Sequence, residues 1–276
     1  MTSTTCPDES GSGAPSRRAA LRALVVSCCW LAIWQAVAML LGNAILLASP
    51  LDVAASFVAL VPTAGFWGTV GYSLGRIAAG FALAVLLGTA LAWLASLNRW
   101  VRAFLSPPIR AIRSVPVVSF IILVLIWADS SWLSVTISAL MVLPIVYANV
   151  EEGIDRRDQG LDEFAQVFAL SRSKRWWAIT LPAMLSYLIA ACRAGLGMAW
   201  KAGVSAEVIG LPSGSIGERL YQAKLYLATG DLFCWTGVIV ALSFGFEKLV
   251  LGLLDRFESG LASGYTTDHG NEGRRR

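Results

Sequence analysis

Long apolar runs separated by shorter polar and basic segments set the plan of this chain. Read by run length, the pattern predicts six membrane-spanning helices, at about 24–45, 72–97, 115–128, 132–149, 184–205 and 232–254. About 20 apolar residues are needed for a helix to cross the hydrocarbon core. The third run is short as counted, so its helix is expected to begin a few residues earlier, around Ile109. Between the runs lie "LNRWVRAFLSPPIRAIR" (Leu97 to Arg113), a tight "ADSSW" turn (Ala128 to Trp132), a long polar loop over 150–183 and a polar segment from Ala206 to Asp231. The first run follows Arg17, Arg18 and Arg22, is long, and shows no small-residue cleavage site, so it reads as an uncleaved span. The last stretch, "SGLASGYTTDHGNEGRRR", is rich in Gly and Ser and reads as disordered. The expected class is an all-α integral membrane protein, with a tail at 1–23, a transmembrane domain over 24–254 and a second tail at 255–276.

Composition agrees with that plan. Hydrophobic residues make up 56% of the chain and charged ones 14%, and the mean hydropathy is +0.64. A soluble domain would carry roughly a quarter charged residues. Charge then orients the spans. With the N-terminus cytoplasmic, the inner segments hold Arg17, Arg18, Arg22, Arg99, Arg102, Arg110, Arg113, Arg156, Arg157, Arg172, Lys174, Arg175, Arg256 and the three terminal arginines. The outer segments hold only Arg219 and Lys224, and no Lys or Arg falls between Gly42 and Gly75. Cytoplasmic loops retain cations during insertion, so this asymmetry places both termini inside. The net charge of +4 is therefore a topology signal, and nothing points to a nucleic-acid partner.

Few residues suggest catalysis. Cys28, Cys29, Cys192 and Cys234 fall in or at spans, Cys6 lies in the first tail, and the single histidine, His269, lies in the last. No metal-ligand spacing and no nucleophile–histidine–acid set emerges, which argues against a membrane-embedded enzyme. Trp30, Trp34, Trp67, Trp93, Trp100, Trp132, Trp176, Trp177 and Trp235 lie mostly near span ends and read as interfacial anchors.

The inner loop carries the most information. In "EFAQVFALSRSKRWWAITLPAML", Glu163, Ala165 and Ala169 fall on one side of a helix, and Arg172, Lys174 and Arg175 follow. Pro182 is placed to open the next membrane helix, where its missing N–H costs nothing. The segment is either a docking surface for a cytoplasmic partner or an amphipathic helix lying at the lipid headgroups.

This loop resembles the signature of the permease subunits of binding-protein-dependent ABC importers: Glu-Ala-Ala, three residues, Gly, nine residues, Ile, one residue, Leu-Pro. Glu163 and Ala165 match its start, and Ile179, Leu181 and Pro182 match its end at the right spacing. Phe164 replaces the middle Ala, and Ala169 stands where Gly is usual, which implies a less abrupt turn. Further pieces resemble the nitrate/sulfonate/taurine branch in the right order. They are "ASPLDVAASFVAL", "SLGRIAAGFALAVLLGTALAWL", "RAIRSVPVVSFIILVLIWADSS" and "CRAGLGMAWKAGVSAEVIG", and the resemblance runs from about Ser49 to Phe257.

The resemblance implies a type I ABC importer permease in a bacterial-type plasma (inner) membrane, paired as a homodimer or with a related permease. Its core would lie at about 72–254. The loop would contact a dimer of ATPase subunits through Glu163, Ala165, Ala169, Ser171, Arg172, Ile179, Leu181 and Pro182. An extracytoplasmic solute-binding protein would deliver a small solute such as nitrate, a sulfonate or taurine. The chain itself carries no GxxxxGK[ST] nucleotide loop. It is expected to bind no cofactor, with Mg-ATP held by the partner.

The fifth span carries Arg193 and Lys201, which lie within roughly 80° of each other on a helix. Ionisable groups at that depth usually face a bundle interior or a wet path. Gly195, Gly197 and Gly203 would let neighbouring helices approach. Arg193, Trp200, Lys201 and Glu207 are the candidates for the translocation path. In one reading the two cations line the passage of an anion. In the other, Lys201 snorkels to the surface and Arg193 binds backbone carbonyls or a carboxylate. Beyond them, "EVIGLPSGSIGERL" is a candidate contact for the delivery protein or an outer gate, or a plain re-entrant connector. An ion-gradient-driven secondary transporter is the alternative. It predicts carboxylates within spans and an inverted repeat, whereas the acids here cluster at loops apart from Glu247.

Overall fold

The computed structural model of the protein describes residues 17–156, 167, 168, 171 and 181–272. Side chains at 17–20, 23, 182, 183 and beyond Arg256 fall outside the description. The described residues form helices only: α1 Arg17–Leu41, α2 Pro50–Leu60, α3 Ala64–Leu97, α4 Arg99–Ser114, α5 Val117–Leu125, α6 Ser130–Asp155, α7 Leu181–Gly210, α8 Ile216–Leu225 and α9 Thr229–Glu272. Four are long and apolar enough to cross a membrane, in α1, α3, α6 and α9, and the pair α4 and α5 counts as a fifth if taken as one broken span. Helix α7 runs 30 residues. At 1.5 Å per residue it is about 45 Å long and can also cross.

The segment from Leu97 to Arg113, placed between two spans by its polarity, is almost wholly helix, α4. Asn98 caps it by accepting from the Trp100 N–H at 2.8 Å, and Val101, Leu105, Ile109 and Ile112 turn inward at helical spacing. One straight helix does not run from near Ile109 to 128, contrary to expectation. Val115 and Pro116 are extended (ψ 134° and 138°), because proline pushes the residue before it out of the helical region. The helices on either side meet at 106°. The nine residues of α5 rise only about 14 Å, too short to cross alone. Helix α9 continues to Glu272, but the expected tail at 255–276 falls almost entirely on side chains outside the description.

Helix α6 is the spine, flanked by α3 and α7. Its Leu133, Ile137, Val142, Val146 and Val150 are fully buried. Close approach on both flanks depends on glycine. A methyl at Gly80 of α3 would sit 2.5 Å from the Val135 carbonyl, and one at Gly203 of α7 2.5 Å from the Ser138 hydroxyl and 2.6 Å from Ile77. Helices α2, α8 and the start of α9 gather at one end of this bundle. There Phe66, Val70, Ile216, Trp235 and Val238 form a second buried cluster. Trp235 is therefore not an interfacial anchor: it is 4% exposed and stacks on Phe66 at 5.1 Å. Trp30, Trp67, Trp100 and Trp132 are exposed, as anchors should be. Helix α4, the C-terminal end of α6 and the start of α7 lie at the opposite end.

Candidate functional site

A polar cluster is buried where α3, α6 and α7 meet α8. Glu207, Ser73 and Ser134 are each 0% exposed. Ser73 donates its hydroxyl to Glu207 Oε2 at 2.7 Å and accepts from the Ile216 N–H at 2.9 Å. The Gly217 N–H also reaches Glu207 Oε2, at 3.4 Å. The carboxylate and Ser73 therefore take one orphan donor each at the first turn of α8, where a helix presents free N–H groups and a partial positive charge. Gly217 is required here, since a methyl would run into the backbone of Glu207. Glu207 Oε1 is buried with no hydrogen-bond partner among the described residues. Arg76, half-buried on α3, acts electrostatically on this carboxylate. Its Nε donates to Ser134 at 3.2 Å, its Nη1 donates to Tyr72 at 2.6 Å, and its guanidinium lies over the Tyr72 ring.

The four path candidates on α7 separate by exposure. Trp200 is 2% exposed and, like Glu207, faces the core; its indole N–H has no partner among the described residues. Arg193 and Lys201 are exposed, as are Ala190, Ala194 and Met198; Lys201 lies on the open side of the helix, and Arg193, two turns before Trp200, lies at the edge of that side. Arg193 donates to Asp255 of α9 at 2.7 Å, both groups about half exposed. Lys201 is exposed, and no ion pair joins it to any described residue. It lies nine residues before the end of α7, about 14 Å from that end along the axis. Gly197, on the same side, has open space where a side chain would project. Gly195 and Gly203, by contrast, pack against Val142, Ser138 and Ile77.

At the opposite end, Arg102 of α4 clamps the last two turns of α6. It reaches Glu151 Oε1 at 2.9 Å and both oxygens of Asp155 at 2.8 Å, while Tyr147 donates to Glu151 at 3.0 Å. Of the residues expected to contact the ATPase, Glu163, Ala165, Ala169, Arg172 and Ile179 lie outside the described residues, whereas Ser171 is exposed. Leu181 packs against the main core, and Pro182 is the second residue of α7, as expected of a helix-opening proline.

Sequence reasoning did not single out Ser73, Arg76 or Ser134. Arg76 carried a usable signal, because it is an arginine within an expected span, as Arg193 is. The two serines carried none, since they are distant in the chain from the groups they serve.

An all-helical chain with several helices long and apolar enough to cross a bilayer is a multi-pass membrane protein. Comparison with known proteins makes this specific. The chain belongs to the family of binding-protein-dependent transport system inner membrane components, which matches residues 80–257. It is 29% identical to the taurine transport system permease protein TauC of Escherichia coli, over 79% of this chain and 81% of that one. It is 26% identical to the bicarbonate transport system permease protein CmpB of Synechococcus elongatus, over 70% and 66% respectively. Among solved structures it resembles an amino acid ABC transporter crystallised with histidines, with a TM-score of 0.56 and 19% identity, covering 74% of this chain and 94% of that one. This last likeness speaks to the fold alone. The protein is thus an ABC importer permease of the nitrate/sulfonate/taurine branch and not a gradient-driven carrier. It works with a separate ATPase, which hydrolyses the ATP, and with a solute-binding protein.

Proposed function

We propose that this permease forms, with a second copy of itself, the inner-membrane path for a small oxyanion such as a sulfonate, nitrate or bicarbonate. The observation that carries the anion reading is Lys201, an exposed cation without an ion-pair partner among the described residues, placed at membrane depth on the open face of α7. A charge at that depth costs about 2.5–3.5 kcal/mol on insertion scales and is retained where it meets water or a counter-charge. The names of two relatives, for bicarbonate and for taurine, whose sulfonate is one end of a zwitterion, agree with a solute that carries an oxyanion group. Arg193 lies at the edge of the same face, although Asp255 already neutralises it.

With α7 and the four apolar helices as spans, the broken α4–α5 pair is the sixth membrane element: α4 lies at the cytoplasmic face and the short α5 enters the bilayer from it. The positive-inside rule puts both termini, α4 and the loop at 157–180 in the cytoplasm, and α2 and α8 outside. The loop, through Glu163, Ala165, Ala169, Ser171, Arg172, Ile179, Leu181 and Pro182, seats on the ATPase dimer, which holds Mg-ATP.

Reconstitution with the ATPase and the solute-binding protein in proteoliposomes tests this. Uptake of a radiolabelled sulfonate should require ATP, fall about tenfold or more in Lys201→Gln, and be largely retained in Lys201→Arg. Uptake independent of the charge at 201 would remove the anion reading and leave the permease assignment intact.

A further inference from the structure

A cavity of about 360 Å³ opens between α2, α3, α8 and the start of α9, apart from the α7 face. Its wall carries one guanidinium, Arg219, and one carboxylate, Asp231, with Gln222, Phe66, Tyr226 and Trp235 between them. The size suits a small molecule, and mostly apolar walls with a few convergent polar groups are usual for a ligand site.

The two charges are the informative part. They line one cavity, yet no ion pair joins them. Arg219 is oriented from behind, with Nη1 donating to Gln222 Oε1 at 3.3 Å. Gln222 in turn donates its Nε2–H to Glu218 Oε1 at 3.3 Å. A guanidinium has five N–H donors in a planar fork, so its remaining edge can still take an oxyanion. Asp231, half-buried in the first turn of α9, forms no hydrogen bond through its carboxylate among the described residues. The helix N-terminus explains why a carboxylate is tolerated there, but it does not explain an arginine across the same cavity. Trp235 and Phe66, both nearly buried and stacked, supply a firm π face of the kind that favours an ammonium.

We propose that this cavity is a binding site for a small zwitterion, an aminosulfonate or amino acid whose oxyanion pairs with Arg219 and whose ammonium pairs with Asp231. The ligand closes the gap that separates the two charges. In the topology proposed above the cavity faces outside, so its role as a solute-entry or sensing site rests on that reading. The binding itself does not.

The test uses the full-length permease with its ATPase in lipid nanodiscs and three probes that share a two-carbon skeleton: taurine, ethanesulfonate and ethylamine. Isothermal titration should show taurine binding, with each singly charged probe about tenfold or more weaker, the loss expected when a charged hydrogen bond is missing. Asp231→Asn should bring taurine down to the level of ethanesulfonate, and Arg219→Gln should abolish binding of both. The proposal is overturned if wild-type protein binds no taurine, if it does not discriminate among the probes, or if both substitutions leave taurine binding unchanged. It is equally overturned if the two charges alter only the affinity for the solute-binding protein. The wild-type selectivity decides the question even where a variant does not fold. ATP-driven uptake in proteoliposomes, measured separately, tests the permease reading independently of this outcome.

Discussion

Glu207 shows how one carboxylate can hold three helices. Its Oε2 takes the Ser73 hydroxyl from α3 and the Gly217 N–H from α8, and Ser73 passes the link on to Ile216. Replacing Glu207 with Ala would leave a buried hydroxyl and an N–H without their acceptor and create a void. The expected cost is roughly 2–4 kcal/mol. Gln keeps an oxygen acceptor of the same shape and should lose much less. Thermal unfolding of the purified variants checks the order, and equal midpoints for Ala and wild type would show that the latch contributes nothing. Gly217→Ala should destabilise as strongly as Glu207→Ala, because the clash falls on backbone. From sequence, Glu207 is legible as an acid just beyond the fifth span and a candidate for the path, but not as a buried link between helices. Its burial depends on Ser73, which is 134 positions away, and hydroxyl partners at that separation leave no periodic trace.

At the scale of elements, local chemistry was readable wherever it was local. Helix α2 begins with a capping box in which Asp52 accepts from the Ser49 N–H at 2.9 Å and from its hydroxyl at 2.8 Å. The Ser49 side chain first, and its backbone N–H second, hold the Asp52 carboxyl below its usual value of 3.8. A carboxylate depressed in the folded state contributes its stabilisation above the ordinary value and loses it as pH falls through the folded one. The α2 cap should thus be constant from neutral pH down to about 4 and fray only below that, visible as faster amide exchange at Asp52 and Val53. Fraying that begins near pH 6 would contradict the assignment. The break at Pro116 was also present in the sequence, but run length alone favoured a continuous span; the proline rule needed to outweigh it. Helix α4 was missed because its arginines dominated a reading based on hydropathy. One of those arginines, Arg102, joins α4 to the last turns of α6 just before the loop proposed to meet the ATPase. The group is 39% exposed, so Arg102→Ala should cost under about 1 kcal/mol of stability. Its larger effect should be on solute-stimulated ATP hydrolysis, since releasing α4 unties the support of the loop. Unchanged stimulation in that variant would confine Arg102 to a surface ion pair.

For the whole molecule, the run lengths and charge asymmetry laid out most of the helices, and the coupling-loop signature pointed to the family. What a single sequence could not reveal is which glycines face neighbours within the chain and which face out. That difference supports a prediction about assembly. Gly203 is enclosed by Ser138 and Ile77, whereas Gly197, six residues earlier on the same helix, has nothing within 4 Å of where a side chain would begin. If the open face of α7 meets a second copy, space at Gly197 is used only in the dimer, because small residues let helix backbones approach closely in lipid. Gly203→Leu should therefore prevent the chain from folding stably at all. Gly197→Leu should leave the isolated permease inserted and as heat-stable as wild type, yet remove dimers and ATP-driven uptake together. Size-exclusion chromatography in detergent, paired with thermal unfolding of the same samples, separates the two outcomes. Normal dimers and normal transport in Gly197→Leu would turn this face toward lipid, and Lys201 would then be a snorkelling residue rather than part of a path.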